Sequence, residues 1–219
     1  MLTYAELKKN EEIRTYIKRA DESLGAQGYT EHSFAHVGRV ASVAGSLLRA
    51  LGYLERMAEL AEIAGYMHDI GNLVNRVDHS QSGALMAFRI LERLGMEPEE
   101  LASVVTAIGN HDEGTGVPVS PIAAALILAD KSDVRRSRVR NRDVSTFDIH
   151  DRVNFSATNA ELTVSDDKKT LLLSLEIDTR YSPVMEYFEI FLGRMVLCRK
   201  AAEALGLQFK LRINGQALL

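Results

Sequence analysis

Histidine and aspartate residues recur in this chain at the ends and on the apolar faces of its predicted helices. The pair His68-Asp69 closes the apolar run 63–67 and is followed by Ile70-Gly71. An imidazole or a carboxylate in a protein interior costs free energy unless a partner satisfies it. The members of the series, in chain order, are His36, His68, Asp69, His79, His111 and Asp130. Six such groups converging on one core indicate a shared partner, and one divalent metal centre would satisfy all of them.

The spacing of apolar residues predicts six helices before residue 143, at periods of three and four residues. They cover Tyr4–Leu24, Ser33–Leu51 and Leu54–Asp69, and three more begin near Asp78, Pro98 and Pro121. Asp78 is a predicted N-cap of the fourth helix. The fifth helix carries His111 before Gly114 ends it, and Ser120 is predicted to cap the sixth. This spacing turns the six polar side chains inward.

The pattern changes after Arg142, where alternating apolar residues predict strands. Strands are predicted at Glu161–Ser165 and Thr170–Asp178, with a hairpin turn between them at 166–168. A helix over Pro183–Leu205 and a closing strand over Leu207–Ile213 follow. We therefore expect a mostly α fold, with a helical metal-binding domain over residues 1–143 and a small C-terminal α+β (β-β-α-β) subdomain over 144–219.

Composition limits the functional classes. The net charge of -4 and the pI near 5.9 argue against a general nucleic-acid-binding protein. Cys198 is the only cysteine, so a thiolate-cluster metal site cannot form. The charged first twenty residues exclude a signal peptide, and no apolar run reaches membrane-spanning length. We expect a cytoplasmic protein without a membrane partner, and an exposed strand of the tail could pair across a homodimer.

The series His36, His68-Asp69, His79, His111 and Asp130 resembles the HD-domain metal-dependent phosphohydrolase superfamily. The resemblance runs from about His32 to Asp133 and implies an HD-type helical bundle. It implies that His36, His68, Asp69 and Asp130 hold one divalent ion, and that Asp69 bridges to a second ion completed by His79 and His111. The metal is left open among Mn, Fe, Co, Mg and Ni. His79 and His111 have alternative interpretations as substrate contacts or helix-end caps.

The segment His32-Ser33-Phe34-Ala35-His36-Val37 is similar to the motif of cyclic-nucleotide phosphodiesterases. That similarity implies that His32 is a catalytic proton donor to the leaving oxygen, with a surface histidine as the alternative. Lys131, next to Asp130, is a candidate phosphate contact because an ammonium group acts as a point charge. His150 lies outside the series and is interpreted as a loop residue.

The one basic cluster comprises Arg135, Arg136, Arg138, Arg140 and Arg142. Its plain interpretation is a solvated loop or helix face. A functional interpretation makes Arg135 and Arg136 substrate-binding residues, because guanidinium groups grip phosphate oxygens bidentately. RNA binding through these arginines is a further alternative, but no aromatic residue interleaves them, and nucleic acid is not the expected partner.

The sequence thus predicts a metal-dependent phosphohydrolase that cleaves a phosphate ester, phosphodiester or phosphoanhydride. Its partner would be a phosphorylated small molecule, most simply a nucleotide. Metal-bound hydroxide would be the nucleophile, with Asp69 at the centre of the catalytic group. The alternative is a non-catalytic HD module that binds metal or nucleotide for regulation.

Overall fold

The computed structural model describes residues 1–219. Nine α-helices and a four-stranded sheet account for most of the chain. The helices are α1 Tyr4–Leu7, α2 Glu11–Ala26, α3 Phe34–Leu51, α4 Glu55–Met67, α5 His79–Arg93, α6 Pro98–Gly109, α7 Pro121–Lys131, α8 Ile149–Ser156 and α9 Val184–Ala204. The strands are β1 Ala157–Val164, β2 Thr170–Ile177, β3 Gln208–Ile213 and β4 Gln216–Ala217. Short 3-10 turns cover Ile70–Leu73, Arg136–Arg138 and Val144–Thr146. The predicted helical body with a small α+β tail is confirmed.

Helix α7 is the central element of the helical body. Every residue from Ile122 to Lys131 is buried. A helix that is apolar on all sides must be covered on all sides, and α7 packs against α3, α4, α6 and α9. Its C-terminal end therefore brings Asp130 and Lys131 into the middle of the molecule.

Two glycines allow the helices that carry His36, His68 and His79 to approach closely. A Cβ atom on Gly65 of α4 would lie 2.8 Å from the backbone of Ala41 in α3. A Cβ atom on Gly71, in the turn after Asp69, would lie 2.0 Å from the carbonyl oxygen of His79. Only a residue without a side chain fits at either position, since a Cβ atom would collide with backbone. The first contact lets α4 lie close against α3, and the second lets the turn after Asp69 lie close against the start of α5.

The tail is a mixed sheet in the order β1-β2-β3-β4. β1 and β2 form an antiparallel hairpin, and β2 runs parallel to β3 through the crossover helix α9. Leu173 pairs with Leu162 on one side and with Leu211 on the other. Buried side chains of this sheet belong to the same hydrophobic cluster as those of the helical body. The boundary between residues 143 and 144 stays a prediction.

Several local predictions differ from the structure. The helix predicted over Tyr4–Leu24 is two helices, because the Asn10 side chain accepts a hydrogen bond from the amide of Ile13 and starts α2. Asp78 lies at the N-cap position of α5 as predicted, but its φ is 55° and its side chain accepts no capping bond. β1 begins four residues before the predicted Glu161, because pairing with β2 continues to Ala157.

Two further differences concern segments near the site. The fifth predicted helix ends at Gly109, so His111 directly follows α6 instead of lying in it. His150 belongs to α8 and not to a loop, because Asp148 caps that helix through the amide of Asp151.

Not one helix of the chain combines the length and the apolar character that crossing a membrane requires.

Candidate metal centre

The six residues of the histidine-aspartate series meet at one place, where five helix ends converge. His36 lies in the first turn of α3, His68 and Asp69 follow α4, and His79 begins α5. His111 follows α6, and Asp130 lies in the last turn of α7. All six side chains are buried. Because long, apolar helices carry them, their positions are fixed by the packing of the core.

The Nε2 atoms and carboxylate oxygens of this cluster lie within ligand-sharing distance of one another. His36 Nε2 is 3.5 Å from Asp69 Oδ2 and 3.4 Å from Asp130 Oδ1. His68 Nε2 is 3.1 Å from Asp69 Oδ2 and 3.7 Å from Asp130 Oδ1. His79 Nε2 is 3.5 Å from Asp69 Oδ1. Asp69 thus presents Oδ2 to His36 and His68, and Oδ1 to His79.

Each of the four histidines has its Nδ1 atom bound by another group. His68 Nδ1 donates to the carbonyl oxygen of Gly65 at 2.8 Å, and His111 Nδ1 donates to that of Ile108 at 2.6 Å. His79 Nδ1 donates to the carbonyl of Arg76 at 3.1 Å. A carbonyl oxygen can only accept, so Nδ1 carries a proton, and Nε2 is the atom left to bind a metal ion when the ring is neutral. Such outer partners are typical of metal-ligating histidines.

His36 differs because its Nδ1 partner is the carboxylate of Asp133. The distance from His36 Nδ1 to Asp133 Oδ2 is 2.7 Å. Asp133 is itself buried and lies against Arg135, Arg39 and Arg138. Sequence reasoning missed this role of Asp133, which lies just beyond the end of α7 and three residues after Asp130.

Several polar atoms in the centre have no partner within the chain. His36 Nε2, His68 Nε2 and Asp69 Oδ2 are buried without a hydrogen bond. The Nε2 atoms of His79 and His111 face each other at 3.3 Å, and Arg76 Nη1 lies 3.3 Å from that of His79. Two bare nitrogens at that distance repel unless a cation or a proton lies between them. The donor set, four imidazole nitrogens and two carboxylates, fits a borderline divalent metal ion.

Two overlapping groups have ligand atoms close enough for one ion each. The ligand atoms of His36, His68 and Asp130 lie within 4.8 Å of one another, as do those of His68, Asp69 and His111. The residues present therefore fit a divalent metal, while the assignment of each side chain to an ion stays a prediction.

The buried charges of the centre shift one another's pKa values. Burial opposes the charged form of His68, but the charges of Asp69 and Asp130 raise its pKa to about 10. Burial likewise opposes ionisation of Asp69, but His68 holds the pKa of its carboxyl well below the usual range. Burial lowers the pKa of His79 and of His111. The cluster therefore favours the charged forms of His68 and Asp69 and the neutral forms of His79 and His111, as closely packed ionisable groups do.

Asp69 is held in place by Asn72, which sequence reasoning also missed. Asn72 is fully buried, and its Nδ2 donates to both Oδ1 and the backbone oxygen of Asp69 at 2.9 Å. An amide at this position fixes the orientation of the carboxylate without adding charge.

A cavity of about 540 Å³ opens beside the centre. Four of its lining residues also line a much smaller cavity that reaches Asp69, His79 and Asp130. These shared residues are His32, Arg76, Arg138 and Arg194. The large cavity therefore adjoins the candidate metal ligands, and its lining is mostly polar.

His32 lies at this junction, just before the N-cap of α3. Its Nδ1 donates to the carbonyl of Thr30 at 2.7 Å, which leaves Nε2 free. Burial, assisted by the charge of Arg138, lowers the pKa of His32 well below its usual value. Its ring packs edge-on against His36 with centroids 5.3 Å apart. The position agrees with the expected one, while its role as a proton donor stays a prediction.

Lys131 is buried beside the centre. Its Nζ lies 2.7 Å from Asp130 Oδ2 and 3.5 Å from Glu113 Oε1. Burial alone would lower the pKa of Lys131, but the charge of Asp130 raises it, so the ammonium group stays protonated. Glu113 also forms an ion pair with Arg194, whose Nε lies 2.5 Å from Glu113 Oε1. Neither Glu113 nor Arg194 was singled out from the sequence, because each lies on a segment of mixed charged and apolar residues.

The arginine cluster is mostly engaged inside the protein instead of forming a solvated face. Arg135 binds Asp133, and Arg136 donates to the carbonyl of Phe155 at 2.5 Å. Arg138 is buried and donates to the backbone oxygens of Glu31 and Asp133. Of the cluster, Arg138 is the member that lines both cavities. Substrate binding by Arg135 and Arg136 stays a prediction.

Comparison with known proteins agrees with the resemblance in the sequence. The family model of the HD domain matches residues 33–152, more than half of the chain. The uncharacterized protein MJ1020 of Methanocaldococcus jannaschii is 29% identical over 191 residues, which cover 76% of this chain and 73% of the relative. A crystal structure described as a predicted HD superfamily hydrolase, from an uncultured Thermotogales bacterium, shares 24% identity. That comparison covers 61% of this chain and 75% of the other, with a TM-score of 0.46.

Proposed function

The chain belongs to the HD domain family of metal-dependent phosphohydrolases, and we propose that it hydrolyses a phosphate ester, phosphodiester or phosphoanhydride of a small molecule such as a nucleotide. The observation that carries the proposal is the convergence of bare, buried Nε2 atoms and carboxylates beside a polar cavity. His36 Nε2, His68 Nε2 and Asp69 Oδ2 make no hydrogen bond within the chain, although Asp69 Oδ2 lies 3.5 Å and 3.1 Å from the two nitrogens. A divalent cation accounts for them at once.

Two ions are proposed, in the arrangement that the family resemblance implies. His36, His68, Asp69 and Asp130 would hold one, and Asp69, His79 and His111 would hold the other. A divalent metal would supply Lewis acidity here and would neutralise phosphate charge. Imidazole and carboxylate ligands suit Mn, Fe and Co, and Mg and Ni stay open.

The protein's own residues would position the substrate and manage protons. His32 presents its free Nε2 at the junction of the two cavities, where it can take up a proton from water and pass it to the leaving oxygen. Lys131 keeps a positive charge next to Asp130, which favours a phosphate at that side of the centre.

The cavity supports a phosphorylated small molecule as substrate. Its volume of about 540 Å³ falls in the range of small-ligand sites, and only three of its sixteen lining residues are hydrophobic. Arg76, Arg138 and Arg194 supply positive charge at the end nearest the candidate ligands. A polar leaving group such as a nucleoside suits this lining better than a lipid.

The test is hydrolysis by metal-loaded protein. We expect release of p-nitrophenol from p-nitrophenyl phosphate or its diester with added Mn²⁺, and release of phosphate from members of a nucleotide panel. EDTA should abolish both activities. His68→Gln should lose activity and metal together, whereas His150→Gln should retain the bound metal, because His150 is an exposed histidine outside the cluster.

A regulatory HD module is the alternative, and the same experiment separates the two. Protein that carries metal but hydrolyses neither the p-nitrophenyl esters nor any nucleotide would contradict the enzymatic proposal. The presence of all six candidate ligands favours the enzyme, since a degenerate module is expected to have lost some of them.

A further inference from the structure

Arg194 reaches the candidate metal centre from outside the segment that the HD family model matches. It lies on α9, whereas the matched segment ends at residue 152. Its side chain lines both the large cavity and the small one beside Asp69 and Asp130. The C-terminal helix thus adds a guanidinium group to a centre whose other candidate groups come from the helical body.

Two contacts hold this guanidinium group in one orientation. Its Nε forms an ion pair with Glu113 Oε1 at 2.5 Å, and its central carbon lies 4.1 Å from the centroid of the Phe191 ring. Glu113 is in turn fixed by Lys131. Both contacts use the Nε side and one face of the guanidinium plane. The terminal nitrogens, Nη1 and Nη2, make no hydrogen bond within the chain and remain available to a ligand in the cavities.

An arginine with a fixed Nε and free terminal nitrogens is suited to a tetrahedral oxyanion. Its planar fork donates two parallel hydrogen bonds, and less side-chain entropy is lost because the group is already oriented. A phosphomonoester carries three non-bridging oxygens and a charge near −2 at neutral pH. A phosphodiester carries two such oxygens and a charge of −1. If a dinuclear centre engages two oxygens, only the monoester keeps a third, charged oxygen for an arginine.

We propose that Arg194 binds the phosphoryl group of the substrate and gives the site its preference for phosphomonoesters over phosphodiesters. This inference rests on the proposed phosphohydrolase function and deepens it. Arg194 then acts as a substrate-binding residue, while Glu113 and Phe191 act as positioning residues that hold its side chain.

The experiment compares Arg194→Gln with the unmodified protein on p-nitrophenyl phosphate and on bis(p-nitrophenyl) phosphate, both with saturating Mn²⁺. A hydrogen bond to a charged group is lost with the monoester, so kcat/KM for it should fall roughly 10- to 100-fold. For the diester the fall should stay below about threefold, because its weaker charge gains less from the arginine. Arg199→Gln, an exposed arginine on the same helix, is the matched control and should leave both values unchanged.

Binding of inorganic phosphate gives a readout independent of turnover. Calorimetric titration of Mn²⁺-loaded protein with phosphate should show affinity weakened roughly 10- to 100-fold in Arg194→Gln, with metal content unchanged. Arg194→Lys keeps a positive charge but loses the planar fork of the guanidinium group. Its phosphate affinity should therefore lie between those of the unmodified protein and Arg194→Gln. This second variant also serves if Arg194→Gln does not fold.

The outcomes are distinct. Equal losses on monoester and diester, or phosphate affinity unchanged in both variants, would overturn the role of Arg194 and leave the proposed hydrolysis standing. Failure of the unmodified protein to hydrolyse either ester would instead overturn the proposed function. In that case the phosphate titration would still decide whether Arg194 binds the anion.

Discussion

Asp133 accepts a hydrogen bond from His36, with 2.7 Å between Asp133 Oδ2 and His36 Nδ1. The two residues are 97 positions apart in the chain, and both are buried. The carboxylate fixes the tautomer of the imidazole and makes its Nε2 a more basic ligand. Asp133 is not one of the six candidate ligands; it lies outside them and contacts the centre through His36.

Asp133→Asn is expected to weaken metal binding without removing a ligand. The amide can still accept from His36, but it no longer supplies negative charge, and loss of such a partner costs about 10- to 100-fold in metal affinity. Competition of Mn²⁺ against a fluorescent chelator measures the affinity. Asp166→Asn, in the turn between β1 and β2, is the control and should bind as the unmodified protein does. Equal affinities for the two variants would show that Asp133 does not tune the centre.

His79→Gln is expected to lower the metal content from about two ions per chain to about one. His79 lies against Asp69 Oδ1, whereas His36 lies against Asp69 Oδ2, so the first group of ligands stays complete. Plasma mass spectrometry on protein dialysed against Mn²⁺ gives the ratio. A ratio that stays near two would favour the alternative in which His79 contacts substrate, and a ratio near one in the unmodified protein would contradict the dinuclear proposal.

Removal of metal is expected to destabilise the fold. An ion present at a hundredfold excess over its Kd adds about 2.7 kcal/mol to the free energy of unfolding. For a chain of this length, that corresponds to a rise in Tm of roughly 5–11 °C. Differential scanning fluorimetry with Mn²⁺ and with EDTA measures the shift. The shift should disappear in Asp69→Asn. If the Tm of the unmodified protein does not change on addition of Mn²⁺, that result would argue against a resident ion.

The thiol of Cys198 gives a pH-dependent prediction away from the metal ligands. Burial raises the pKa of Cys198 to about 12, whereas an unfolded cysteine ionises near 8.5. Between about pH 8.5 and pH 12, the folded chain therefore keeps the thiol proton that the unfolded chain releases. The associated contribution to stability is complete below about pH 8.5 and is lost as pH rises through the window, about 2 kcal/mol by pH 10.

Two measurements check the behaviour of Cys198. Folded protein at pH 8 should react slowly with Ellman's reagent, and unfolding in guanidinium should release one equivalent of thiol. Urea unfolding at pH 8 and at pH 10 should show a larger loss of stability for the unmodified protein than for Cys198→Ala. Identical pH dependence in the two proteins would mean that the thiol does not contribute.

Period and residue type were enough to predict the helical body and the members of the central cluster. His36, His68 and Asp130 stand at four-residue steps from apolar residues, so their inward direction followed from helix geometry. The break at Asn10 was less predictable, because a local capping bond competes there with a continuous apolar pattern. Strand β4 had a usable signal in Asn214-Gly215, whose positive φ angles form a tight turn.

The partners of the ligands could not be found in the same way. Asn72 and Asp133 act through single hydrogen bonds, and one hydrogen bond leaves no periodic trace in a sequence. Arg194 is further from prediction, since its place at the cavity depends on how α9 crosses between two parallel strands and lies on α7. Such placement is a property of the assembled core and not of any local segment.

The packing of α9 on α7 means that the family-matched segment is not a self-sufficient piece of this protein. A fragment ending at residue 152 would leave an apolar flank of α7 facing water and the large cavity without one wall. Transferring the six-ligand cluster to another scaffold would therefore require the transfer of α9 as well.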